Sequence, residues 1–311
     1  MTTALFTHPA CLNHTTPDGH PERVARMQAI AEALDTPEFD ALLRLEAPLC
    51  RDEDILLAHP ASHLAAIRAA APKTGFRALD PDTHMSPGTL EAAFRGVGGA
   101  VGAVDAVMSG QARNAFVAMR PPGHHAERET AMGFCFFGNI TIAAKHALER
   151  HGLNRVAIID FDVHHGNGTQ DLVWEDARIL FASTHQMPLY PGTGAASETG
   201  AHGNIVNVPL DQGTGGQVFR AKMRDLVLPA VAAHKPEMLF ISAGFDAHRD
   251  DPLAGLNLLE DDFAWATQQI CNIADTCANG RVVSSLEGGY DLAALAASTA
   301  AHVRVLMEHE Q

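Results

Sequence analysis

The chain reads as an α/β protein: an open, mostly parallel β-sheet with helices on both faces. Two observations carry this reading. Short β-branched apolar runs alternate with Ala-rich helical stretches, the pattern of βα units that build parallel sheets. Four of those apolar runs also end in dense polar clusters, and ligands in such sheets bind beyond the carboxyl ends of the strands.

The expected strands are residues 4–7, 115–120, 156–162, 179–183, 204–208, 238–243 and 282–286. Each is short and apolar, as strands buried on both faces are. Between them, residues 21–34, 87–109, 139–150, 215–235 and 260–278 carry helical patterns. The helix near Asn139 follows a Gly138 turn, and acids open the helix at Glu260, where they suit the positive amino end. No repeat, low-complexity segment or Ser/Gly linker divides the chain, so a single domain over residues 1–311 is expected.

Composition narrows the function. Apolar residues make up 46% and charged residues 19%, a well-buried globular balance. Lys plus Arg total 22 against 37 Asp plus Glu, a net charge of −15. That lacks the basic face a nucleic-acid binder needs. No run of about 18 apolar residues suggests a membrane span. The first ten residues lack a signal-peptide pattern, and five scattered cysteines read as free thiols in a reducing compartment. A cytoplasmic protein is expected.

The stretch RVAIIDFDVHHGNGT, residues 155–169, begins as a strand and ends as a metal site. Alternation along an extended chain sends Asp160, Asp162 and His164 to one side, with His165 facing away in a structural role. Two carboxylates and an imidazole are costly to bury without a positive charge between them. A divalent cation is the simplest candidate, and Gly166 permits the tight turn around it. Asp246, after the strand at 238–243, supplies a third ligand. Two carboxylates and one His leave open positions on a zinc ion, as catalysis requires.

The remaining clusters supply proton-transfer groups. His124 and His125 follow Arg120-Pro-Pro-Gly in a loop fixed by prolines, and imidazoles suit general acid and base work. Asp160 is placed to accept from a His ring nitrogen and set its tautomer. Tyr290, in Glu287-Gly-Gly-Tyr-Asp, is one of two tyrosines and is suited to donate to a developing oxyanion.

Together the motifs RPPGHHA, DFDVHHGNGTQ, SAGFDAHRDDPLAG and LEGGY resemble the zinc-dependent histone deacetylase superfamily, of the arginase–deacetylase fold. The similarity runs from His20-Pro-Glu-Arg to Glu287-Gly-Gly-Tyr, nearly the whole chain. It implies Asp162, His164 and Asp246 as zinc ligands and His125 as the base toward the attacking water. It implies His124, oriented by Asp160, as the neighbouring histidine, and Tyr290 as the group that polarises the amide carbonyl. It further implies a structural potassium ion held by the main chain of Asp160, Asp162 and His164 with Ser183 and Thr184. Gly133 and Phe134 would form one wall of an acyl-lysine tunnel, and Leu189 or Tyr190 the other. Asp82 matches a rim position that holds substrate backbone.

Departures sharpen the branch. Asn167 stands where class I enzymes carry Asp and class II-like and many bacterial members carry Asn; Thr16-Pro-Asp-Gly-His-Pro-Glu-Arg is also class II-like. Leu253 replaces the Glu of polyamine-selective eukaryotic relatives. The stretch before RPPGHH lacks the acidic insertion of bacterial acetylpolyamine enzymes. The implied substrate is an acylated lysine in a peptide or protein, with small acyl-amines such as acetylpolyamines as the alternative. A ureohydrolase and a non-catalytic acyl-lysine binder rank lower. The sequence leaves open the oligomeric state, including a homo-oligomer.

Overall fold

The strands form at the apolar runs and are named here in chain order. They are β1 (Thr3–Thr7), β2 (Leu43–Glu46), β3 (Arg77–Ala78), β4 (His84–Met85), β5 (Asn114–Val117), β6 (Val156–Asp160), β7 (Ile179–Gln186), β8 (Ile205–Leu210), β9 (Leu239–Ala243) and β10 (Val282–Leu286). The computed structural model describes residues 2–309. Eight strands pair in one parallel sheet in the order β2-β1-β5-β10-β9-β6-β7-β8, with β3 and β4 in a small antiparallel ribbon. The expected open parallel sheet is therefore present.

The helices are α1 (Ala25–Leu34), α2 (Asp52–Ile55), α3 (Ala61–Ala70), α4 (Thr89–Met108), α5 (Asn139–His151), α6 (Asn167–Val173), α7 (Gly216–Lys222), α8 (Leu228–His234), α9 (Glu260–Cys277) and α10 (Leu292–Glu308). They sort into two layers. Helices α4 and α5 pack together over β1, β5, β6, β9 and β10, whereas α1, α10, α9 and α8 pack in series. Leu5, Phe116, Ile158, Phe240 and Val283 lie in the core between. A smaller cluster around Ile67, Phe136 and Phe137 seats α3.

Several elements depart from expectation for identifiable reasons. The helix expected over 215–235 is broken into α7 and α8 by a π-helical turn, Met223–Val227. Pro229 lies just beyond and cannot donate to the carbonyl four residues back, so the regular ladder cannot run through. The helix expected from residue 21 begins at Ala25, because the Glu22 carbonyl accepts from Thr16 Oγ1 and Arg120 Nη2, and the Arg26 amide turns to Arg23 instead. The strand expected to 162 stops at Asp160. Alternation therefore does not account for Asp162 and His164, which lie on the loop beyond. Helices α3, α6 and α10 and edge strand β2 are not among the expected elements, although Asp291 caps α10 ahead of an Ala- and Leu-rich run with helical spacing.

The register of the central strands positions the polar loops. Pairing across β5, β10, β9, β6 and β7 places Val117, Ser285, Ser242, Asp160 and Ser183 in one row. The four polar clusters leave adjacent strands at one level, and so converge.

Candidate active site

Two carboxylates and one imidazole meet just beyond this row. His164 Nδ1 lies 3.1 Å from Asp162 Oδ1 and 3.1 Å from Asp246 Oδ2. The three ligand atoms lie within 4.8 Å of one another, and the residues are buried. Backbone amides fix the carboxylates: Gly288 donates to Asp162 Oδ2 at 2.8 Å and Val163 to Asp246 Oδ1 at 2.9 Å. A side chain at Gly288 would collide with both Asp246 and Asp162, so only glycine allows this approach. In the chain alone, the two carboxylates outweigh burial and raise the His164 imidazole to about 10. That proton occupies the place a cation would take. The donor set, its charge and its tethered outer groups fit one divalent metal ion.

Next to this trio stand the two histidines, held differently. His124 Nδ1 donates to Asp160 Oδ2 at 3.0 Å. Burial opposes its charge, but Asp162 and Asp160 prevail and hold it well above the usual histidine range. His125 Nδ1 donates to the neutral Asn167 Oδ1 at 2.7 Å. Burial, then the neighbouring His124 and His164, hold it well below that range. Environment thus pushes adjacent imidazoles in opposite directions. Burial raises Asp160 to about 6, against the pull of His124.

Tyr290 lies 7% exposed and faces Phe134, ring centroids 5.9 Å apart. The Arg26 guanidinium sits 4.9 Å above the Tyr290 ring and donates to the carbonyls of Gly289 and Glu287, each at 2.6 Å. Burial keeps the tyrosine hydroxyl protonated far above its ordinary range.

A cavity of about 370 Å³ opens over the site. Its walls include Phe134, Leu189, Tyr190 and Leu253, its floor His125, His164 and Tyr290, and Asp82 lies on its lining. His124 and His165 are not among the lining residues. Tyr190 stands edge-on to His125 at 5.2 Å, and it and Leu189 line the same cavity as Phe134. Phe134 itself is held at φ 69°, beside Gly133 at φ 54°. Such a conformation is costly for a bulky residue. Its amide donates to Thr83 Oγ1 at 3.0 Å and its ring packs on His20 at 4.8 Å.

Other expected residues fall nearby without joining the trio. Ser183 pairs with Asp160 across the sheet, its hydroxyl 2.9 Å from His185 Nδ1, and Thr184 is buried beside it. His165 bonds Thr193 and Gln170, away from the cavity.

The structure also brings in residues to which sequence reading gives no role. Buried Glu287 accepts the amides of Gly123 at 2.7 Å and His124 at 3.1 Å, pinning the histidine loop to β10; burial raises it to about 7. Asp251 accepts the Tyr290 amide at 2.7 Å. Glu22 binds Arg120 and Arg26 beneath both. A buried acid inside a motif is the only sequence signal for these.

The histone deacetylase domain profile matches residues 20–306, nearly the whole chain. The chain belongs to the histone deacetylase family. A histone deacetylase-like amidohydrolase of Pseudomonas aeruginosa is 40% identical over 277 residues, covering 88% of this chain and 73% of that protein. A probable deacetylase of Archaeoglobus fulgidus is 37% identical over 298 residues, covering 94% and 82%. Among solved structures, the HDA15 HD domain superposes with a TM-score of 0.93 at 33% identity, covering 99% of this chain and 89% of that one. The chain shares the fold of this family, whose relatives are named as deacetylases and amidohydrolases. No helix among the described residues is long and apolar enough to cross a membrane.

Proposed function

We propose that this histone deacetylase family member is a zinc-dependent amidohydrolase that removes acetyl or other acyl groups from lysine side chains. The observation that carries the reading is the convergence of the Asp162–His164–Asp246 trio with His125 and Tyr290 at the floor of one apolar-walled cavity. Two carboxylates and one imidazole suit zinc with coordination positions left open. A zinc ion bound there would polarise the amide carbonyl and acidify water.

The chain's own groups account for the rest. His125, neutral and anchored through Nδ1, leaves Nε2 free to accept a proton from the attacking water. The Tyr290 hydroxyl donates to the carbonyl oxygen as negative charge develops. His124, held charged by Asp162 and Asp160, stabilises that charge, and the proton taken up by His125 passes to the amine nitrogen as the C–N bond breaks. Phe134, Leu189 and Tyr190 line the aliphatic stem, and Asp82 receives the substrate backbone. Potassium at the Asp160, Asp162 and His164 main chain with Ser183 and Thr184 completes the reading. So do a single catalytic domain over 1–311 and a reducing, cytoplasmic setting for five free cysteines.

Asp82 on the cavity lining, its amide bonded to neighbouring Asp80, favours a second reading, a small acetylated amine whose distal cation they would attract. The test is Tyr290→Phe assayed on a fluorogenic acetyl-lysine peptide and on an acetylated polyamine. Turnover should fall about 10²–10³-fold with zinc content unchanged. Undiminished deacetylation would remove Tyr290 from this role.

A further inference from the structure

A second group of metal-ligating side chains lies away from the catalytic trio. Asp105, on α4, and His146 and His151, on α5, bring ligand atoms within 4.8 Å of one another. We infer that these three residues form a second, non-catalytic site for a divalent transition-metal ion such as zinc, clamping α4 to α5.

Both imidazoles address one oxygen atom. His146 Nε2 lies 2.8 Å and His151 Nε2 2.7 Å from Asp105 Oδ1. The rings are 5.3 Å apart and inclined at 69°, so their nitrogens converge from different directions instead of stacking. Metal–nitrogen and metal–oxygen bonds of about 2.0–2.2 Å in tetrahedral geometry set ligand atoms roughly 3.3 Å apart. Spreading the present arrangement by about half an ångström reaches that value. A cation would replace the protons that now bridge the imidazoles to the carboxylate.

One arm is held in place. His146 is 4% exposed, and its Nε2 is fixed on Asp105 Oδ1. His151 closes α5, and with Asp105 it lines a shallow groove shared with Glu46 and Gln111. The metal therefore has an entry path, and water can complete its coordination. Imidazole nitrogens favour zinc, nickel or copper over calcium and magnesium. The carboxyl end of a helix also favours positive charge.

The place in the fold separates this site from catalysis. His151 ends α5 just before β6 begins at Val156, and Asp105 lies near the end of α4, before β5 begins at Asn114. The cluster thus sits at the amino ends of the strands, and the catalytic trio at their carboxyl ends.

Enzyme brought to one zinc per chain, by metal analysis, is titrated with zinc chloride by calorimetry and thermal unfolding. The native chain should bind a second equivalent and unfold at higher temperature. Asp105→Asn and His151→Ala should bind that equivalent at least tenfold more weakly, while keeping native peptide turnover at one zinc. No second equivalent in the native chain, or equal uptake by both variants, would overturn the site. Metal content and binding heat are read independently of substrate, so this outcome does not depend on the proposed activity.

Discussion

At the scale of the residue, the division of labour between His124 and His125 rests on what each Nδ1 meets. Asp160 gives His124 a charged acceptor, and Asn167 gives His125 a neutral one. Asn167→Asp would place a carboxylate against the base and raise its affinity for protons. The base acts only when neutral. Raising its pKa therefore moves the acid limb of the kcat/KM profile to higher pH, with losses greatest on the acid side. An unshifted limb would mean that His125 is not the base. Adjacent histidines and Asp160 are legible in sequence because they sit in compact motifs. Asn167 is legible only as a marker of family branch, since its bond to His125 spans 42 positions and no spacing rule anticipates it.

At the scale of the element, the site depends on loops tied to one another beneath the cavity. Glu22 precedes α1 and binds Arg120 after β5 and Arg26 within α1, all fully buried. Although burial opposes its charge, Arg120 and then His14 hold the Glu22 carboxyl well below the usual range. A depressed folded pKa gives stability that is present above the unfolded value of about 4.3 and lost as pH falls below it. Glu22→Gln leaves two buried guanidiniums without their counter-charge. It should cost roughly 3–5 kcal/mol at pH 7, and the gap to the native chain should narrow below about pH 4. Urea unfolding at pH 7 and pH 3.5 measures both; equal midpoints at pH 7 would contradict this. The sequence marks the His20-Pro-Glu-Arg segment as a family feature, but its apolar spacing suggests only a longer helix. Partners 98 positions apart decide otherwise. The π-helical turn before Pro229 escapes for a similar reason: the apolar period continues through it even though the hydrogen-bond ladder cannot.

At the scale of the whole molecule, the parallel sheet is legible because buried strands form apolar runs whatever their order. The strand order itself is not, since pairing β5 with β10 and β6 with β9 joins segments remote in sequence. That order makes four functional loops neighbours and gathers two acids around one imidazole, a set whose ligand atoms a cation can share. Metal that binds only the folded chain stabilises it, by about 4 kcal/mol when free metal exceeds Kd a thousandfold. Dialysis against a chelator should therefore lower Tm, and zinc should restore it; an unchanged Tm would mean that the buried trio holds no metal. The most direct measurement is acetate release from an acetyl-lysine peptide as metal-stripped enzyme is titrated with zinc. Activity should be absent at the start and reach its plateau at the first equivalent. Turnover by the stripped enzyme, or none at any zinc level, would contradict a zinc-dependent acyl-lysine hydrolase.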